Sequence, residues 1–494
     1  MNSGVISVTD QLKRTSSLAP TPANDHAGLF PEGFLWGAAT ASYQVEGSPL
    51  ADGAGESIWH RFCHTPGKTE RGETGDVACD HYRRWRDDVA LMKELGLKAY
   101  RFSIAWPRVL PEGVGRVNSK GLDFYHQLVD ALLDAGITPM ITLFHWDYPQ
   151  ALWDRGGLIS RESAEWFGAY AEEMFRALGD RVKLWLTLNE PEVFTDCGFR
   201  KGVHAPGLQD WKAMIVAGHN LMRGHGLAVR AFRAARPDGK IGVAYALGPN
   251  LPDRDTLEDR EAARRNGAYS RRICDPILLS KYPPRFEKMF EGHMPKGYEA
   301  DLPLISQKTD LIGVNYYSQW YVTHDPNVPF LQSKGALAWD EGSNGAIAQS
   351  GFFKGKTPSH SKRGVKLSPH GWEIVPEGLY ETLRWARDRF GDYEFFITEN
   401  GTAGNDDLFS RDEELRDAYR VDYLRGHLQV AHRAIGEGIK LRGYMHWSLM
   451  DNLEWAAGYR IRCGLIHVDF KTQQRTLKDS ARWYQQVIAR NAVH

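Results

Sequence analysis

Two glutamates occupy matching positions in this chain. Glu190 follows the run KLWLTLN at 183–189, and Glu399 closes EFFITE at 394–399. Each carboxylate comes after an apolar stretch, so it would sit in a low-dielectric setting at a cost of roughly several kcal/mol unless paired or put to use. One such carboxylate is most often a helix cap or a solvated charge. Two in the same setting point to chemistry, because a pair of carboxyl groups converging on one bond is what glycoside cleavage requires. Similar apolar runs end in His145 and Trp146, in Asn189 beside Glu190, in Asn315, Tyr316 and Tyr317, and in Asn400 and Gly401 beside Glu399.

The elements that position these residues follow from periodicity. From Phe34 onward, short apolar runs rich in β-branched and aromatic residues alternate with longer segments of helical period. The expected strands are 34–40, 99–106, 138–146, 183–189, 240–247, 310–317, 394–399 and 441–448. Eight is the number that closes a barrel, and near-continuous apolar strands followed by amphipathic helices imply a parallel sheet covered by helices. One such helix is expected over 161–178, capped by Ser160, and another over 122–135, ended by Gly136. The fold class expected is α/β, a single (β/α)8 TIM barrel with long loops at its C-terminal face. Strands four and seven then face each other across the barrel, where Glu190 and Glu399 can meet.

Length permits this reading, since α/β barrels run well past ~250 residues as one domain when their loops are long. We expect residues 1–28, rich in Ser, Thr, Pro and Ala, to be a disordered polar leader, and 29–494 to be the barrel. The leader lacks the apolar core of a secretory signal, so a cytoplasmic location is the default. The stretch 325–369, rich in Gly, Ser, Asn and Lys, reads as a long loop after strand six, either a surface insertion or a lid over the site.

Composition excludes other classes. With 61 basic and 62 acidic residues the formal net charge is -1, so no global field draws the protein to nucleic acid or to an anionic membrane. No window approaches the apolar length of a membrane span. The five cysteines are scattered and form no CxxC pair, which argues against a disulfide framework or a zinc cluster. A metal-dependent barrel hydrolase would need HxH or HExxH, and neither is present. No glycine-rich phosphate loop opens a helix after a strand.

TLNEP at 187–191, ITENG at 397–401, WSLMDNLEW at 447–455 and FLWGAATASYQVEG at 34–47 resemble, in order, the signature segments of glycoside hydrolase family 1. The likeness covers about Phe30 to Val487. It implies a retaining β-glycosidase, β-glucosidase-like, that acts without a cofactor or metal on a small-molecule or oligosaccharide β-glycoside. Glu190 matches the acid/base and Glu399 the nucleophile, which implies carboxyl groups ~5 to 5.5 Å apart. Arg101 and Tyr317 match positions that hydrogen-bond the nucleophile. Gln44, His145, Asn189, Glu454 and Trp455 match sugar ligands, Trp447 a stacking platform and Trp372 an aromatic on the leaving-group side; Trp146 and Asn315 complete the expected binding set.

A carboxylate at Glu454 disfavours a 6-phosphorylated sugar, and Glu190 stands where the sulfur-glycoside branch carries Gln, so ordinary O-glycosides are expected. Two positions depart from the pattern. Glu192 replaces an aromatic that borders the leaving-group subsite, which would suit a polar, sugar-like or basic leaving group. Cys463 replaces an aromatic against the glycone, leaving the choice among glucose, galactose, fucose and xylose open. Two alternatives share these residues: a β-transglycosidase, in which an acceptor hydroxyl opens the intermediate, and a non-catalytic sugar-binding barrel. The oligomeric state is not legible in the sequence.

Overall fold

The structure is a computed structural model that describes residues 28–235, 238–324, 360, 361, 363–369 and 371–494. Residues 1–27 of the expected leader and 325–359 of the expected long loop lie outside the described residues.

Eight strands form the barrel: β1 (Leu35–Ala39), β2 (Ala99–Ser103), β3 (Thr138–Phe144), β4 (Leu184–Asn189), β5 (Lys240–Ala246), β6 (Leu311–Asn315), β7 (Glu394–Asn400) and β8 (Leu441–Trp447). They pair in parallel in chain order, and β8 closes onto β1, with Ala39 opposite Trp447. Burial explains their composition. Every residue of LWLTLN in β4 is buried, as a strand covered on both faces must be.

The connections carry α1 (Ile58–Cys63), α2 (His81–Glu94), α3 (Ser119–Asp134), α4 (Ser163–Leu178), α5 (Trp211–Ala235), α6 (Leu257–Ser270), α7 (Pro376–Phe390) and α8 (Ala418–Gly436), and α9 (Asp479–Arg490) follows β8. In α4, Phe167, Ala171, Met174 and Leu178 are buried together, a 3- and 4-residue spacing that puts them on one face. Each large apolar side chain so buried contributes about 1.5–3 kcal/mol. The same core continues through the barrel and the inner helix faces.

Two local expectations are corrected. Strand two was expected to run to 106, but β2 ends at Ser103 and Trp106–Val109 form a helical turn, because Pro107 has no N–H to give to a ladder. Arg101 therefore projects from the middle of its strand, not its end. Ser160 does not cap α4: the helix begins at Ser163, and the Ser160 carbonyl instead accepts from Ser163 Oγ at 2.7 Å.

The two ends of the described chain meet. Phe30 N donates to the Asn491 carbonyl at 2.9 Å, and Trp36 Nε1 donates to Asn491 Oδ1 at 2.8 Å. No described helix is long and apolar enough to cross a membrane.

Candidate active site

The C-terminal ends of the strands gather a buried polar network around the two glutamates. Glu399, on β7, accepts from Arg101 Nη1 at 2.7 Å on Oε1 and from the Tyr317 hydroxyl at 2.6 Å on Oε2. Arg101 is wholly buried, so its charge is tolerable only if its donors are used. They are: Nε donates to Thr142 Oγ1 at 3.1 Å, Nη1 also to the Thr398 carbonyl at 2.9 Å, and Nη2 to Asn189 Oδ1 at 2.6 Å. Strand β7 can approach β8 here because its next residue is Gly401, where a Cβ would fall 1.9 Å from the Trp447 carbonyl oxygen.

Glu190 is held differently. Asn315 Nδ2 donates to Glu190 Oε1 at 2.9 Å and to Asn189 Oδ1 at 3.0 Å, while Asn315 Oδ1 accepts from Thr398 Oγ1 at 2.7 Å. Since Asn189 Oδ1 already accepts two bonds, its Nδ2 is the donor to His145 Nε2 at 2.9 Å. His145 must then carry its proton on Nδ1. That Nδ1–H is buried without a partner among the described residues, as is the Gln44 Oε1, whose amide nitrogen donates to the Leu453 carbonyl at 2.8 Å and to Asn452 Oδ1 at 3.1 Å. Most buried polar atoms in a folded protein have a partner, so these two are available to a polar ligand or an ordered water. The pair offers one donor and one acceptor, as a sugar hydroxyl does.

Electrostatics separates the two carboxyl groups. Burial pushes Glu190 far above the usual carboxylate range, and the charge of Glu399 adds to it, against the Asn315 hydrogen bond. Burial leaves Glu399 raised as well, but the charge of Arg101 and the Tyr317 hydrogen bond oppose that rise. Of this coupled pair, Glu399 therefore ionises first and Glu190 keeps the proton.

Around them, Trp447 stacks on His145 with centroids 5.6 Å apart, Trp455 faces Trp146 at 4.7 Å, and Trp372 meets Tyr317 edge-on at 5.6 Å. Trp146 Nε1 donates to the Asn189 carbonyl at 2.9 Å. Desolvation and the charge of Glu399 push the partly buried Glu454 up to about 8, with Cys463 Sγ at 3.8 Å from its Oε2. Glu190, Trp146 and Trp455 all have left-handed backbones, with φ of 40°, 82° and 50°. Each such residue costs about 1–3 kcal/mol, and three at one mouth mark a place where side-chain direction outranks stability.

The sequence-derived residues thus converge, with one turned aside. Glu192 Oε1 accepts from Ala246 N at 2.5 Å, and the residue lines a small cavity together with Asp196, Asn250 and Arg272. Burial pushes Glu192 up to about 7. Sequence reading missed the supports Thr142, Thr398 and Asn452, and Trp59, which packs on Trp455 at 4.5 Å. Thr398 and Asn452 lie inside the quoted segments ITENG and WSLMDNLEW; Thr142 is a polar residue inside an otherwise apolar strand, and that was the available signal.

Comparison with known proteins agrees with this geometry. The family model for glycosyl hydrolase family 1 matches residues 26–493. The chain is 47% identical to beta-glucosidase A of Thermotoga maritima over 466 residues, covering 94% of this chain and 98% of that protein. It is 46% identical to the 1,4-beta-D-glucan glucohydrolase of Thermotoga neapolitana, covering 94% and 99%. The solved family 1 β-glucosidase from Thermotoga maritima superposes with a TM-score of 0.85 at 46% identity over 94% of this chain and 100% of that one, and its complex with glucoimidazole also gives 0.85.

Proposed function

This chain belongs to glycosyl hydrolase family 1, and on that footing we propose that it is a retaining β-glucosidase with Glu399 as nucleophile and Glu190 as acid/base. The observation that carries the role assignment is the unequal holding of the two carboxyl groups. A guanidinium and a phenol keep Glu399 ionised and aimed, whereas Glu190 has a single amide donor and a like charge nearby.

In the first half-reaction Glu399 attacks the anomeric carbon from the face opposite the leaving group. The bond to the leaving oxygen breaks as that oxygen takes the proton of Glu190, and a glycosyl ester forms on Glu399. Esterification removes the charge that raised Glu190, so its carboxylate can now accept a proton from water. The water oxygen bonds to the anomeric carbon, the ester breaks, and two inversions leave the configuration retained.

The His145 Nδ1–H and Gln44 Oε1 suit glycone hydroxyls, and Trp447 offers a flat apolar face to the ring. The relatives, a beta-glucosidase A and a 1,4-beta-D-glucan glucohydrolase, support glucose as the glycone. The substrate is a β-glucoside or β-linked oligosaccharide. All five cysteines are free, which supports a reducing, cytoplasmic setting. Proton NMR of the reaction in progress tests the stereochemistry: β-glucose as the first product supports the reading, and α-glucose first overturns it.

A further inference from the structure

On the outer side of the loop between β1 and β2, three ligating side chains meet that have no part in glycoside cleavage. His60 lies in the last turn of α1, His64 one turn on, and Asp76 in the segment that follows. His64 Nε2 is 3.0 Å from Asp76 Oδ2, His60 Nε2 is 3.7 Å from Asp76 Oδ1, and the three ligand atoms lie within 4.8 Å of one another. Around a tetrahedral ion with bonds of ~2.0–2.2 Å, neighbouring ligand atoms stand roughly 3.3 Å apart, so only small side-chain adjustments separate this cluster from a coordination shell.

The orientation of both rings is fixed from behind. Glu56 Oε1 sits 3.0 Å from His60 Nδ1, and since a carboxylate accepts, that nitrogen is the donor. His64 Nδ1 donates to the His60 carbonyl at 2.8 Å. Each imidazole therefore points its other nitrogen, Nε2, at the shared Asp76. A carboxylate or carbonyl behind each ligating histidine is the outer-shell arrangement that orients metal ligands. Arg61, the cation next to His60 in sequence, is itself paired with Glu56.

The supports are tied into the fold. Ser57 caps α1 by accepting from His60 N at 3.1 Å, Trp59 of the same helix packs on Trp455, and the Asp76 carbonyl accepts from Ser48 N at 2.7 Å. His64 and Asp76 are exposed, which leaves room for water on the remaining positions. We propose that His60, His64 and Asp76 bind one divalent transition-metal ion of the zinc class. Two imidazoles and one carboxylate select such an ion over magnesium or calcium, which take oxygen ligands. The site is independent of the hydrolytic reading and acts on the loop that backs Trp455.

The test is calorimetric titration of Zn2+ into chelator-treated full-length protein at neutral pH. One equivalent is expected to bind wild type, and His64→Ala and Asp76→Asn are each expected to weaken it about tenfold or more. Glu56→Gln, which touches no ligand directly but loosens His60 and the Arg61 pairing, is expected to weaken it less. Zn2+ is expected to raise the Tm of wild type and not that of His64→Ala, while Mg2+ gives no binding heat. Absence of binding, or equal affinity in wild type and His64→Ala, overturns the proposal and leaves an ordinary histidine–aspartate ion pair.

Discussion

Arg101 Nη1 donates to Glu399 Oε1 at 2.7 Å, joining residues 298 apart in sequence. The contact does two things at once. It compensates a guanidinium with no exposure to water, and it fixes one oxygen of the nucleophile so that Tyr317 can fix the other. The remaining Arg101 bonds reach β3, β4 and β7, so the position of Glu399 is set by the barrel and not by a loop.

Removing the acid is expected to expose its role through leaving-group dependence. Glu190→Ala should lower kcat on a glucoside with a poor leaving group by roughly 10²–10⁴-fold and spare glycosylation by an activated aryl glucoside. The alkaline limb of kcat/KM, which reports loss of the Glu190 proton, should vanish. A retained limb in steady-state pH profiles would assign the acid elsewhere.

Tyr317→Phe removes a donor from the ionised nucleophile. A hydrogen bond to a charged group is worth about 1.5–3 kcal/mol, so kcat/KM should fall about 10- to 150-fold. The carboxylate loses stabilisation, its pKa rises, and the acid limb of the pH profile moves to higher pH. Movement to lower pH would contradict the assignment.

Glu192 lies two residues beyond the acid in sequence, and its ionised form raises Glu190. Burial pushes Glu192 up to about 7, so it gains charge across neutral pH. Glu192→Gln keeps the oxygen that accepts from Ala246 but removes the charge. The Glu190 pKa should therefore fall and the alkaline limb of kcat/KM should shift to lower pH, as profiles of both proteins would reveal.

Stability should depend on a buried pair behind the site. Arg420 and Asp417 are both fully buried, and Arg420 also donates to the carbonyls of Thr402, Arg462 and Cys463. Arg420→Met leaves the buried Asp417 charge without its cation, held by the Ser480 donors, and should cost roughly 3–5 kcal/mol. Breaking the exposed Arg176–Glu173 pair by Arg176→Met should cost no more than about 1 kcal/mol. Thermal unfolding of the two variants compares them.

Much of this was legible in the sequence because barrel strands are buried on both faces and announce themselves as apolar runs. All eight were placed within a few residues, and Glu190, Asn315 and Glu399 lie where their strand ends predict. Turn chemistry was less legible: Pro107 ends β2 early, and Gly156 and Gly157 delay α4 past Ser160. The direction of individual side chains was not legible at all. That His145 presents Nδ1–H follows from a chain of bonds through Arg101, Asn315 and Asn189, and that Glu192 turns toward Ala246 follows from a backbone N–H on another strand. Such contacts join residues remote in sequence, and no local pattern encodes them.

The central claim is that Glu399 forms the covalent intermediate, and trapping that intermediate tests it most directly. The protein is incubated with an activated 2-deoxy-2-fluoro-β-glucoside, digested, and its peptides are sequenced by mass spectrometry. The account predicts one fluoroglucosyl group, attached to Glu399 and absent from Glu399→Gln. Label on Glu190 or Glu454, or turnover without any trapped ester, would contradict it.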